Sequence, residues 1–298
     1  MAVVTAGALS VGLRAGFRVH SLNFSLDRLC RHLHSMAVWA PGGWMFALRD
    51  SIYKVLSSAP AIWLTDIVSR RIYSGKIQNR GLQIDTNDPW ITPWVRTLIF
   101  WDMYETAELR LIERYLPKDI DVIELGGSIG VVASHICART TGRVVTVEAN
   151  PHLMAVLKRN VPAGTTIIHG AIAYPRLPAD WVGMSFGESS LAGWISDATE
   201  KGTVYQVPRV TLSGLQSQNG RRSFALISDI EGAEAGIFIR DPQSLHNCPL
   251  MIIELHETVF EGTKLAVSDL VLLIRKLGYD LRDNYRNVYV FQKDAHET

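Results

Sequence analysis

Only three cysteines occur in 298 residues, Cys30, Cys137 and Cys248, odd in number and far apart. They form no CxxC pair and no Cys/His cluster, so a disulfide framework and a zinc site are both unsupported, and a reducing compartment is the default. A charge excess of one sign is also lacking. Thirty basic against 29 acidic side chains leave +1, which argues against a nucleic-acid surface or a strongly acidic partner. No run is long and apolar enough to span a membrane; the nearest, Ile52 to Val68, carries Lys54 and Asp66 and is broken by Pro60. Repeats and low-complexity tracts are missing too. What remains is an ordinary globular composition, 47% hydrophobic and 20% charged. The chain is long enough for one large α/β domain with an appendage, or for two small domains.

Residues 1–40 hold Arg14, Arg18, Arg28 and Arg31 but a single acid, Asp27. That composition suits an organelle transit peptide. The favoured reading is an over-long start with Met36 or Met45 as the first residue, which makes the cytoplasm the expected location and an organelle the alternative. Residues 41–103, rich in tryptophan and proline, read as a helical or irregular cap region. Within it Ser51 to Ser74 is expected to be helical, with Pro60 limiting the first helix, and Gly81 to Asp88 to be a short extended piece. Tyr104 to Leu116, "YETAELRLIERYL", has apolar residues at helical spacing with charges on the other face, and Pro117 stops it.

From residue 121 the pattern alternates. Strands are expected at Asp121–Leu125, Arg143–Val147, Thr165–Ile168, Phe224–Ser228, Leu250–Leu255 and Asn287–Gln292. Helices are expected at Ser128–Arg139, His152–Asn160, a short one from Gly232, and Val267–Leu277 ended by Gly278. Val204–Val210 reads as an antiparallel piece, and Tyr174 to Gly202 as a long flap. Such alternation predicts an α/β fold with a doubly wound, Rossmann-like parallel sheet, whose ligands sit beyond the carboxyl ends of the strands.

The stretch "VIELGGSIGVVA", residues 122 to 133, admits three readings. Gly126 to Gly130 matches G-x-S-x-G, and Asp229 and His256 follow in the order of a hydrolase triad; no oxyanion segment and few strands precede it, so this reading is disfavoured. A dinucleotide fingerprint requires glycine where Ser128 and Val131 stand. A nucleoside site of the S-adenosylmethionine type explains more letters. Gly126, Gly127 and Gly130 permit close backbone approach, and the helix beginning near Ser128 presents free amides to a carboxylate. Glu124 can accept from an ammonium group, and Glu148 from both ribose hydroxyls before Ala149 and Asn150 open the next helix.

The segments "YETAELRLIERYLPKDIDVIELGGSIG", "VVTVEANPHLMAVLKRN", "FALISDIEGAEAGIF" and "IIELHE" resemble the FkbM family of S-adenosylmethionine-dependent methyltransferases over residues 104–298. Ser228 to Glu234, "SDIEGAE", is the most specific piece. The family usually has aspartate at Glu124, alanine at Gly127, asparagine at Ser128 and lysine at Ser228; the lost lysine leaves the acceptor side less defined. The resemblance implies a seven-stranded methyltransferase sheet, S-adenosylmethionine as cofactor, and a saccharide or secondary metabolite as acceptor. It also implies that Glu105 lies in a segment closing over the ligand, and that Gly170 and Ala171 approach the adenine.

Transfer needs a base near the sulfonium, and the candidates are Asp229 and His256. Trp181, Trp194 and Glu231 are candidate acceptor contacts. Glu234 is read as a first-turn acid complementing the helix dipole. Asp229, Glu231 and Glu254 form an oxygen-rich set, but the chemistry requires no metal and none is assigned. The rivals are a nicotinamide-dependent oxidoreductase and a nucleoside-binding protein that has lost transfer.

Overall fold

The computed structural model describes residues 53–175, 179–186, 203–218, 220 and 222–293, and the backbone of 193–195. Residues 1–55 group apart from a compact unit running from Leu56 to Thr298; only residues 53–55 of the first unit are described. The expected transit-like segment therefore lies outside the described residues.

The larger unit opens with helix α1 (Ala59–Arg71), the hairpin β1 (Lys76–Asn79) and β2 (Leu82–Asp85), and helix α2 (Pro93–Phe100). Pro60 stands in the first turn of α1, where a missing N–H is harmless, so it starts the helix that it was expected to limit. Arg96, 1% exposed, ties the region together. Its guanidinium pairs with Asp66 and donates to the carbonyls of Thr86 and Ile91. Helix α3 (Thr106–Tyr115) follows.

The central sheet contains β3 (Asp121–Leu125), β4 (Val144–Glu148), β5 (Thr166–His169), β10 (Phe224–Ser228), β11 (Leu250–Glu254), β14 (Asp280–Tyr285) and β15 (Val288–Gln292). Its order is β14-β15-β11-β10-β3-β4-β5. From β5 across to β11 every pairing is parallel, while β15 runs antiparallel to both of its neighbours. All five residues of β3, β4 and β10 are buried, as parallel strands covered on both faces must be. Helix α3 and helix α4 (Val131–Arg139) pack on one face through Leu111, Ile112 and Ile136. Helices α6 (Leu212–Gln218), α7 (Glu234–Arg240) and α8 (Val267–Lys276) cover the other through Leu215, Phe238 and Ile274. Helix α5 is Met154–Asn160.

The chain runs from β3 outward to β5, then returns to lay β10 and β11 on the other side of β3. The strand order thus reverses between β3 and β10, and the crevice outside their carboxyl ends is the place such a sheet offers a ligand. Three features add to the pattern read from the sequence. Val204–Val210 is strand β9, but it belongs to a second sheet of order β6-β9-β7-β8, with β6 Ala171–Ile172, β7 Trp181–Phe186 and β8 Gly193–Ile195. The stretch expected as a flap therefore contains β7 and β8. The short hairpin β12 (Thr258–Phe260) and β13 (Thr263–Leu265) follows β11 in a stretch for which no element was expected.

Candidate active site

Two turns face each other across the crevice. The first leaves β3. The amides of Gly126 and Gly127 both donate to the carbonyl of Val147, holding the turn against β4. Gly126 has φ +91°, and a Cβ there would lie 2.1 Å from the carbonyl oxygen of Asp229, so only glycine fits. Ser128, at φ 46°, donates its amide to Oε2 of Glu148 at 2.7 Å. The other oxygen, Oε1, accepts from the amide of Asn150 at 2.6 Å. Five residues, 126–130, are spent on this turn, so α4 starts at Val131, capped by Gly130 at φ +85°. The expected start near Ser128 was three residues early.

The second turn leaves β10. Asp229 donates its amide to the carbonyl of Leu125, and Glu231 and Gly232 both take positive φ. The fully buried Glu234 closes the loop, accepting from the Ser228 hydroxyl and from the amides of Ile230 and Gly232 at 2.9–3.0 Å. Its role is more definite than the dipole effect expected for it: it is the acceptor for three donors.

Between the turns lies a cavity of about 720 Å³. Of the residues singled out from the sequence, Glu105, Glu124, Gly126, Gly127, Ser128, Glu148, Ala149, Gly170, Ala171, Asp229 and Glu231 line it. Gly130 and Asn150 shape the turns behind it instead; Asn150 is buried, its Oδ1 accepting from the His152 amide. Val182, Met184, Phe186, Val259 and Phe260 supply an apolar side. Trp181 does not line the cavity. It is 56% exposed, because strand alternation turns Val182 and Met184 inward and Trp181 out. The side chain of Trp194 lies outside the described residues.

Among the acidic lining residues, sequence reasoning missed one. Glu108 was read as part of a solvated helix face, yet it is 5% exposed and faces the cavity. The signal available was its spacing: Glu105 and Glu108, three apart, share one side of the helix. Tyr104, which heads the segment read as closing over the ligand, lines the cavity too, its hydroxyl 3.5 Å from Oγ of Ser128.

The electrostatics are one-sided. Six carboxylates line the cavity, Glu105, Glu108, Glu124, Glu148, Asp229 and Glu231, and no lysine, arginine or histidine is among the described lining residues. Glu124 is 1% exposed, and neither of its oxygens has a hydrogen-bond partner. Burial, reinforced by the charges of Glu148 and Glu105, pushes it up to about 8 against the pull of the neighbouring Thr146 hydroxyl, which is not placed to make a well-formed hydrogen bond. Burial likewise raises Glu148 against the pull of its backbone donors. It carries Asp229 to about 8, with the charges of Glu254 and Glu105 adding.

His256 sits beside the cavity wall with Nε2 3.2 Å from Glu254 and 3.7 Å from Glu231. The hydrogen bond to Glu254 raises it to about 9. Burial of Glu254 works the other way, but hydrogen bonds from His256, Glu108 and Asn287 bring that carboxyl to about 2. His256 and Glu254 therefore form an imidazolium–carboxylate pair at neutral pH, not the free imidazole that a histidine base requires.

A doubly wound sheet with a glycine turn, an acid at the end of each of its first two strands and a cavity at the switch point defines a Rossmann-like methyltransferase. Residues 125–281, slightly more than half of the chain, match the methyltransferase FkbM domain. The chain belongs to the FkbM family of methyltransferases, and S-adenosylmethionine is its cofactor. No curated protein matches it. Solved structures resemble it distantly. A TehB-like SAM-dependent methyltransferase from Corynebacterium glutamicum is 14% identical, with 63% of this chain and 87% of that one covered, at a TM-score of 0.34. A Streptococcus pneumoniae protein provisionally assigned as a tRNA (m1A22) methyltransferase, in complex with S-adenosyl-L-methionine, is 11% identical over 64% and 73%, at 0.37. The sugar N-methyltransferase KedS8 from Streptoalloteichus is 10% identical over 62% and 84%, at 0.32.

Proposed function

We propose that the protein transfers a methyl group from S-adenosylmethionine to a hydroxyl oxygen of an uncharged small molecule, a saccharide or a secondary metabolite, with Asp229 taking the hydroxyl proton. The observation that carries this reading is Glu124: two buried, unpartnered carboxylate oxygens beside a glycine turn into which only backbone fits. A buried acceptor without a partner is costly, and the ammonium of a methionine moiety supplies both the donors and the charge that returns the carboxyl to its ionised form. Bound there, S-adenosylmethionine supplies a methyl group on a sulfonium, open to in-line displacement.

The chain's own residues do the rest. The glycine turn lets a ligand lie against backbone. Glu148, already holding two amides, keeps lone pairs for ribose hydroxyls, and Gly170 and Ala171 offer a low surface for a flat base. Asp229 lines the cavity with a buried Oδ1 that has no partner, a place from which to accept a proton as the acceptor oxygen attacks. His256, paired with Glu254 behind the lining, is not the base in this reading. The described lining also holds no basic side chain, so it offers a polyphosphate or nucleic-acid acceptor no side-chain counter-charge.

The test is calorimetric titration of the purified protein with S-adenosylmethionine, S-adenosylhomocysteine, NAD and NADP, followed by transfer of labelled methyl to neutral saccharides. Binding of both sulfur ligands and neither nicotinamide is expected, with transfer lost in Asp229→Asn and binding kept. A nicotinamide that binds while the sulfur ligands do not would overturn the reading.

A further inference from the structure

We propose that Glu105, Glu108 and Asp229 form a binding site for a divalent cation of the oxygen-preferring kind, magnesium, manganese or calcium, in the wall of the cavity. One carboxylate oxygen from each of the three lies within 4.8 Å of the other two. That spacing suits oxygens gathered around an ion at 2.0–2.6 Å. Three carboxylates alone would be an ordinary acidic patch. The independent observation is Glu108: 95% of its surface is buried, and although its carboxyl hydrogen-bonds Glu254, its Oε1 has no hydrogen-bond partner. Oδ1 of Asp229 is buried and unpartnered as well. Buried carboxylate oxygens are normally satisfied, so two orphans in one three-residue cluster mark a missing positive partner.

The surroundings offer that partner nowhere else. The described cavity lining contains no basic side chain, and the one nearby imidazole, His256, has its Nε2 turned to Glu254 and Glu231. A second oxygen-bearing group, Glu254, lies within the same 4.8 Å of Asp229 and His256, and backs the site. An all-oxygen set favours hard ions over zinc or copper. The elements that bring the ligands together are built for it at some local cost: Glu105 begins α3 in a left-handed conformation, φ 47°, that few non-glycine residues adopt.

For the reaction, the site rests on the function proposed above. An ion there offers a ligand position to the acceptor hydroxyl, and Asp229 gives it one oxygen while the other remains for the proton. Binding of the ion itself depends on none of that. The experiment therefore contains neither S-adenosylmethionine nor an acceptor. Full-length protein, stripped with chelator, is titrated with Mn²⁺ by electron paramagnetic resonance and with Mg²⁺ and Ca²⁺ by calorimetry. One ion per chain is expected. Glu108→Gln and Asp229→Asn should each weaken binding at least about tenfold, whereas Glu261→Gln, at an exposed glutamate paired with Arg240, should bind as the parent does. Circular dichroism and a denaturant melt of Glu108→Gln show that the variant is folded. No uptake at about 1 mM free ion, or equal uptake by parent, Glu108→Gln and Asp229→Asn, overturns the site. Ion uptake without S-adenosylmethionine binding would leave the site standing and count against the methyltransferase reading alone.

Discussion

The two turns at the switch point are built to one plan and do different work. Each leaves a fully buried parallel strand, each passes through a non-glycine residue at positive φ, Ser128 or Glu231, and each is closed by a buried glutamate. In the first turn the glutamate comes from the neighbouring strand. Glu148 takes two backbone amides and still borders the cavity. In the second it comes from the turn's own helix, and Glu234 takes three donors and does not reach the cavity. A carboxylate whose oxygens serve the backbone alone is architecture. One that is satisfied by backbone and also faces the cavity is poised for a ligand.

Four experiments break or sharpen this contrast. The largest effect is expected at Gly126, where the turns touch. Gly126→Ala puts a methyl 2.1 Å from the Asp229 carbonyl at a residue with φ +91°. It should cost on the order of 3 kcal/mol and abolish S-adenosylmethionine binding, measured by denaturant melts and calorimetry. Retained binding would mean that the turns can part. Next come the glutamates as a pair. Glu234→Ala strands a hydroxyl and two amides and should lose about 2–4 kcal/mol, with ligand affinity falling only as folding fails. Glu148→Ala should weaken S-adenosylmethionine binding about tenfold or more with a smaller loss of stability. The reverse pattern would invert the assignment of the two turns.

Glu124→Gln sharpens the point through pH. The folded carboxyl is raised to about 8 from 4.5, so between those values the folded state holds a proton that the unfolded chain has released, and stability falls as pH rises. The parent should lose stability relative to Glu124→Gln from about pH 4.5 to about pH 8, while the variant binds S-adenosylmethionine more weakly. Parallel pH curves would remove Glu124 as a strained acid. The smallest effect lies away from both turns. His135, donating to Asn79, is lowered to about 4 by burial and then by the charge of Arg80. The unfolded chain takes up that proton first, so this stability is intact above about pH 6.5 and drains as pH falls toward 4. His135→Gln should flatten the decline and leave ligand binding unchanged.

Much of this was legible in the letters because it is local. The apolar runs DVIEL, VVTVE, FALIS and LMIIE are buried strands, and "GGSIG" between a strand and a helix is a close-approach turn. What escaped lies where tertiary context overrides local signal. Strand β14, "DLRDNY", carries too few apolar residues to read as a strand; it forms because β15 beside it leaves an edge to pair. Strands β6 to β8 are short and separated by glycines and prolines. Glu108 sits on a helix face that looks solvated by composition, and only the packing of α3 against the strand ends buries it. His256 was visible as a base candidate, but its pairing with Glu254 depends on a contact that spacing alone does not give.

The strapping of the N-terminal elements has a further consequence. Asn79 donates to Asp102 and to the carbonyl of Ile99 and receives His135 from α4. Asn160, at the end of α5, exchanges hydrogen bonds with the Asp85 backbone, and Trp90 stacks on His152 at 4.2 Å. The stretch that resembles other methyltransferases, residues 125–281, omits all of the N-terminal partners of these bonds, and with them α3, most of β3 and the whole of β15. Inheritance and folding thus draw their borders in different places along this chain. A fragment cut at the edges of shared ancestry would leave β11 without β15 on its outer side, β10 without most of β3, and two of the three proposed cation ligands on the discarded piece.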